Sequence, residues 1–233
     1  MLASVLGNGI TTIINAAMEP EIVDLQNFLN KMGANIEGAG SNVIKIQGVK
    51  NLKDVSYNIM PDRIEAGTIL CAVAITGGKV ELQKVNCEHI TPVLDKLQEI
   101  GCKIEINGDT VKLEANKRLK ATNIRTMPYP GFPTDMQAIF ASVLCTASGT
   151  SVIVENIFEN RYKYTQELQR MGAKIKIEGK TAIIKGARKL YGSNVKSTDL
   201  RRRCKSCISR AYGKRKNTSW WYKIYIKGIW RIR

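Results

Sequence analysis

One plan is written three times along the chain, and this repetition constrains the fold more than any other feature. The copies occupy residues 9–49 (GITTIINAAMEPEIVDLQNFLNKMGANIEGAGSNVIKIQGV), 78–115 (GKVELQKVNCEHITPVLDKLQEIGCKIEINGDTVKLEA) and 149–187 (GTSVIVENIFENRYKYTQELQRMGAKIKIEGKTAIIKGA). Gly33, Gly101 and Gly172 hold the same place in each, 68 and 71 residues apart. A supersecondary unit that cannot bury its own apolar face must stack on further copies, so the repeat predicts a fold assembled from equivalent units. Each copy reads as strand, helix, strand, strand. Its first strand is alternating or apolar, as in Val152-Ile153-Val154. The helix follows from apolar residues at helical spacing: Ile22, Leu25, Phe28, Leu29 and Met32 in the first copy, Val93, Leu94, Leu97 and Ile100 in the second. The glycine that follows suits a left-handed cap. Asn107-Gly108-Asp109 joins the last two strands of the second copy, and Asn-Gly is a two-residue hairpin signal.

Between copies lie two segments that are apolar almost all round, residues 64–75 (IEAGTILCAVAI) and 136–147 (MQAIFASVLCTA). Helices of that kind are buried on every side. The complete unit is therefore strand, buried helix, strand, surface helix, hairpin, which places the chain in the α/β class. Cys71, Cys102 and Cys145 fall at packing positions in this scheme. A repeat names a fold and not a chemistry.

Composition excludes several classes. The 233 residues are 44% hydrophobic, enough for one large core or two modest ones. No run of eighteen apolar residues exists, so no membrane-spanning helix is expected. No basic stretch precedes the apolar residues at the start, so a secretory signal is not expected. Six dispersed cysteines fit a reducing compartment, and a cytoplasmic location is the expectation. The formal charge of +16 is unevenly spread: residues 201–233 hold twelve Lys and Arg and no acid, leaving 24 basic and 20 acidic residues in the body. The extreme charge belongs to the tail.

Chemistry concentrates in residues 125–138, RTMPYPGFPTDMQA. Three prolines and a glycine fix an irregular loop, and it delivers Thr134-Asp135 to the mouth of the second apolar helix. A carboxylate there can cap the helix, or it can be a rigidly presented base or acceptor.

This segment closely resembles the RTxPxPxFPTDMQA motif of UDP-N-acetylglucosamine enolpyruvyl transferases. EPEIVDLQNFLNKMGA (residues 19–34), PDRIEAGT (61–68), IFENRYKYTQELQRMGA (157–173) and Ser197-Thr198-Asp199-Leu200-Arg201 match the same family in order, so the resemblance covers roughly residues 1–201. The sister enolpyruvylshikimate phosphate synthases share the fold without the FPTDMQA signature. The resemblance implies an inside-out α/β barrel, with helices inward and sheets outward. It implies transfer of the enolpyruvyl group of phosphoenolpyruvate to the sugar 3-hydroxyl with release of phosphate, the first committed step of peptidoglycan synthesis. No cofactor and no metal are implied. Asp135 matches the carboxylate that binds the sugar and takes the hydroxyl proton. Ile157 matches a backbone contact to the nucleotide sugar. Arg161 and Arg201 match basic residues around phosphoenolpyruvate, a task suited to a permanently charged, bidentate guanidinium. Arg161 can also be read as a helix-mouth ion pair.

By the same resemblance, residues 1–58 are expected to end a first domain and 59–200 to make most of a second, while 201–233, outside the family pattern, are expected to form a basic, disordered tail. The Lys-Asn pair and the reactive-cysteine loop of the family are expected upstream of Met1, so the polypeptide alone is expected to be inactive or nearly so. None of the six cysteines is a candidate catalytic thiol. After Arg201 the family pattern stops. The residues AYGKRKNTSWWY (211–222) can be encoded by DNA that, read one base on, gives LMAKGKTQVGG, another helix-end and strand pattern, so a frameshift is the expected origin of the tail. Cys204-x-x-Cys207 lacks a second ligand pair, and the only histidine is His89. Two competing readings are a non-catalytic remnant and a nucleic-acid-binding protein driven by the tail. The second would show steeply salt-dependent binding, and it is set aside in favour of the enzyme family.

Overall fold

The computed structural model describes residues 1–115 and 118–193. In chain order these form β1 (Ile10–Ile14), α1 (Pro20–Lys31), β2 (Asn35–Glu37), β3 (Val43–Gln47), α2 (Arg63–Thr76), β4 (Gly78–Leu82), α3 (Thr91–Glu99), β5 (Lys103–Asn107), β6 (Thr110–Ala115), β7 (Ile124–Arg125), α4 (Thr134–Leu144), β8 (Thr150–Val154), α5 (Thr165–Arg170), β9 (Lys174–Glu178) and β10 (Thr181–Lys185). Short 3-10 turns precede α3 and α5. Arg201, the tail and its Cys204 and Cys207 lie outside the described residues.

The three copies fold alike. Each makes its own sheet with the last strand in the middle: β1-β3-β2, β4-β6-β5 and β8-β10-β9, the third widened by β7. All pairings are antiparallel except β7 with β8. The repeated glycines explain the common geometry. Gly33, Gly101 and Gly172 have φ of 102°, 108° and 91°, a region costly for a residue with a Cβ. Each sits in the same double hydrogen bond. Its N–H bonds Asn30, Gln98 or Gln169, and the next N–H reaches back to the carbonyl of Leu29, Leu97 or Leu168. That is the Schellman arrangement, and its apolar contact is supplied by the buried Leu29, Leu97 and Leu168.

The two apolar segments become α2 and α4, packed on each other. Every residue of α4 from Met136 to Leu144 is buried. α2 buries Ala66, Gly67, Leu70, Cys71, Ala74 and Ile75, and Asp62 caps it by accepting from the N–H groups of Ile64 (2.8 Å) and Glu65 (3.1 Å). α2 and α4 thus lie inside, with the sheets and the remaining helices outside. Buried apolar residues form two separate clusters. The larger runs from Ala66 to Leu190, the smaller from Val5 to Ile46. Cys71, Cys102 and Cys145 are all buried in the larger one. Burial pushes Cys102 up to about 11 and Cys145 up to about 12, so these thiols stay protonated.

Two local expectations shift. The hairpin signal Asn107-Gly108 is displaced by one residue. Asn107 pairs with Thr110 inside the ladder, and the turn is Gly108-Asp109 with the positive φ (59°) on Gly108. Gly179-Lys180 repeats that turn between β9 and β10. The strand expected ahead of α2 is not formed among residues 48–62. Their backbone runs along α1 instead: Lys53 N–H bonds Met32 O (2.8 Å), and Lys31 Nζ bonds Ser56 O (2.9 Å). Tyr57 packs edge-on against Phe28 with 5.4 Å between centroids and donates to Asp24 Oδ1 (2.8 Å).

The two clusters are bridged by Arg63 and Glu21, at 2.8 Å (Nε–Oε1) and 3.2 Å (Nη2–Oε2). Arg63 is only 7% exposed, so its charge depends on this fork and on the Tyr129 ring 5.5 Å away. Burial raises the Glu21 carboxyl, but the hydrogen bond and charge of Arg63 outweigh it and hold the group below its usual value of 4.5. A lowered folded-state pKa gives stability that is present above the unfolded value and fades as pH falls through the folded one. Glu21→Gln is therefore expected to lower the melting temperature at pH 7, with the difference from the parent shrinking steadily as pH falls below 4.5. A difference that is the same at both ends of a thermal-melt series would exclude this role for the pair.

Candidate active site

The segment 125–138 is held by its own backbone before any side chain is considered. Thr126 N–H extends the β7–β8 pairing by bonding Val154 O at 3.0 Å, and Met127 N–H bonds Phe132 O at 3.1 Å, so the loop closes on itself. The Tyr129–Pro130 bond is cis. Gly131 is required sterically: a Cβ there would stand 2.5 Å from Met127 Cβ and 3.0 Å from Pro128 O. Phe132 plugs the loop into the core, edge-on to Phe140 of α4 at 5.7 Å and 89°.

The loop ends where α4 begins. Pro133 is the residue ahead of the helix and offers no side-chain cap, so Asp135 sits inside the first turn rather than at the cap. The capping role considered from sequence is not the one it takes. A carboxylate in that position still gains from the helix dipole. Asp135 Oδ1 receives a 2.6 Å ion pair from Arg161 Nη2, with about a fifth to a quarter of each side chain exposed. Arg161 Nη2 also reaches Thr134 O at 3.4 Å, and its guanidinium carbon lies 5.0 Å from the Phe158 ring centroid. The helix-mouth ion pair considered for Arg161 is present. Arg161 opens the 3-10 turn before α5, after Asn160 in the left-handed region at φ 53°.

Ile157 is partly exposed, and its N–H is committed to Glu155 Oε1 at 2.9 Å. A backbone contact from Ile157 to a ligand is thus left to its carbonyl. The structure therefore brings Asp135 and Arg161 together at one helix mouth and ties Ile157 to it through Glu155, which accepts from both Ile157 N–H and Thr134 Oγ1; Arg201 falls outside the described residues. Three residues not singled out from sequence belong to the same cluster: Glu155, Thr126 and Thr134. Strand alternation was the available signal for Glu155. Ser151 and Ile153 of β8 are buried, Val152 and Val154 are less so, and Glu155 continues the buried face. Among the described residues no group of three or more His, Cys, Asp or Glu is placed to hold a metal ion, and no helix is long and apolar enough to cross a membrane.

Inward helices, outward three-stranded units and a carboxylate–guanidinium pair at an inner-helix mouth define an α/β protein of the enolpyruvyl transferase type. The chain belongs to the EPSP synthase (3-phosphoshikimate 1-carboxyvinyltransferase) family, whose model matches residues 1–204. It is 56% identical over 202 residues to UDP-N-acetylglucosamine 1-carboxyvinyltransferase 2 of Caldanaerobacter subterraneus subsp. tengcongensis, a match covering 86% of this chain and 48% of that protein. It is 48% identical over 225 residues to UDP-N-acetylglucosamine 1-carboxyvinyltransferase of Geotalea uraniireducens, covering 97% and 54%. The chain thus spans about half the length of the curated relatives it matches. Among solved structures, the enolpyruvyl transferase NikO from Streptomyces tendae superposes with a TM-score of 0.77 at 23% identity, over 89% of this chain and 50% of NikO. EPSP synthase from Acinetobacter baumannii gives 0.66 at 19% identity, over 91% and 52%. At those identities the likeness speaks for the fold.

Proposed function

We propose that this chain supplies one wall of a site that moves the enolpyruvyl group of phosphoenolpyruvate onto the 3-hydroxyl of UDP-N-acetylglucosamine. The observation that carries the reading is the 2.6 Å Asp135–Arg161 pair, built from the two segments that resemble the transferase motifs most closely. In the reaction the sugar 3-oxygen bonds to the enolpyruvyl carbon, the hydroxyl proton leaves and phosphate is released. Asp135 is the group that binds the sugar and accepts the proton, held in place by a rigid loop and a helix N-terminus. Arg161 offers a permanent positive charge to an anionic substrate, and its fork can hold two acceptors at once. The Ile157 carbonyl accepts from the nucleotide sugar. Arg201 joins the anion-binding group in this reading.

In this reading the chain divides at about residue 58. Residues 1–58 would close one domain of the transferase and 59–200 would make most of the other, a division that the two separate apolar clusters support. The rest of the site would come from sequence corresponding to the other half of the relatives. The free thiols of Cys71, Cys87, Cys102 and Cys145 favour a reducing, cytoplasmic setting, where this step would feed peptidoglycan synthesis. Titrating UDP-N-acetylglucosamine into isotopically labelled protein tests the reading. Amide resonances of Asp135, Ile157 and Arg161 should move together and saturably, while those of β4 to β6 stay still. No movement at millimolar nucleotide sugar would sink it.

A further inference from the structure

We propose that Glu155 is the positioning residue that fixes the distance between Asp135 and Arg161. The inference rests on the functional reading above for its purpose, but not for its geometry. Glu155 is 1% exposed, directly after the last residue of β8. Its Oε1 accepts from Thr126 Oγ1 (2.9 Å), Ile157 N (2.9 Å) and Phe158 N (3.1 Å), and its Oε2 accepts from Thr134 Oγ1 (2.9 Å). All four donors are uncharged. The Thr126 hydroxyl also accepts from Asn156 N–H at 2.9 Å, which leaves its proton pointing to Glu155. An ionised carboxylate taken out of water is costly unless its lone pairs are met, and it is the side chain with acceptor sites for four donors at once.

The donors explain the purpose. Thr126 and Thr134 bracket the proline loop, and Thr134 is the residue before Asp135. Ile157 and Phe158 open the segment that carries Arg161, and Phe158 lies under its guanidinium. One buried group therefore holds the segments that carry both partners of the Asp135–Arg161 pair. A displacement of about 1 Å at such a site can cost ~10²-fold in rate or affinity.

The test compares Glu155→Ala with Glu155→Gln in residues 1–233. Glutamine keeps an acceptor oxygen for Thr126, Ile157 and Phe158, and its amide can donate to the Thr134 hydroxyl. In Glu155→Ala, exchange of the Ile157 and Phe158 amide hydrogens should accelerate at least ~10-fold while α4 and β9–β10 keep their protection. UDP-N-acetylglucosamine affinity should fall by ~10–100-fold. Glu155→Gln should stay within a few-fold of the parent in both. Unchanged exchange at 157 and 158, or acceleration spread evenly over α4 and the sheet, overturns the proposal. Should Glu155→Ala fail to fold, Thr134→Val, which removes only the Oε2 donor, takes its place. Weaker nucleotide-sugar binding at an unchanged melting temperature then supports the proposal, and parental binding overturns it. If the parent chain itself binds no UDP-N-acetylglucosamine, the functional reading fails, and the exchange pattern of Glu155→Ala against Glu155→Gln alone decides the role of Glu155.

Discussion

Asp135→Ala, in a version of the chain completed to the length of its relatives, is expected to slow phosphate release by ~10²–10⁴-fold, the usual worth of a positioned proton acceptor. At ~1.4 kcal/mol per decade that is ~3–5 kcal/mol of transition-state stabilisation. The same change should cost folding only about 1 kcal/mol, the scale of a carboxylate at a helix N-terminus. Arg161 retains its contacts with Thr134 O and the Phe158 ring and has partial access to water, so its charge is not stranded. Asp135→Asn separates the roles further, since it can still hydrogen-bond the sugar but cannot take a proton. Steady-state phosphate release and thermal melts measured side by side decide the matter. Near-parental turnover in the alanine variant would remove Asp135 from the mechanism.

The largest expected effect on stability lies one turn deeper. Phe140 is fully buried at the centre of α4 and meets Phe132 edge-on. Phe140→Ala should cost ~3–5 kcal/mol, the sum of lost transfer energy and the cavity left behind. Domains of this size hold ~5–15 kcal/mol in total, so the variant should be marginal at best. Because Phe132 belongs to the loop that delivers Asp135, substrate binding should weaken in whatever fraction remains folded. Urea titration followed by circular dichroism gives the number. A loss below ~1 kcal/mol would mean that α4 is not the inner helix of the core, since surface-like substitutions lie in that range.

Both residues show what sequence could and could not supply. Phe140 was legible because residues 136–147 are apolar at every helical phase, and only a helix surrounded by protein tolerates that. The three glycine caps were legible because the same residue recurs at one place in each copy. Asp135 was legible as a position but not as a geometry: residues 125–138 announce a rigid loop, yet its partner Arg161 lies 26 residues on, and only tertiary packing closes 2.6 Å between them. Glu155 was hidden for a different reason. One acidic residue at the end of an apolar strand looks like the start of a solvent loop, and its four donors come from both sides of it in sequence. The missing strand before α2 and the one-residue shift of the hairpin at Gly108 are tertiary outcomes, one set by competition from α1 and the other by pairing of Asn107 with Thr110.

The self-contained sheets have a consequence for how such a gene can change. Every strand ladder among the described residues closes inside one complete unit, with β7 and α4 counted with the third copy, and the units meet through side chains such as those of α2 and α4. A break in the coding sequence at a border between complete units leaves each remaining sheet with its full set of strand partners, and what it loses is apolar contact. Unpaired backbone inside a core is hard to tolerate, whereas bare apolar surface can be covered by another polypeptide or lightened by a few substitutions. A gene of this design can therefore be shortened, split or extended by whole cassettes without orphaning a strand, provided that the apolar faces so exposed find new cover.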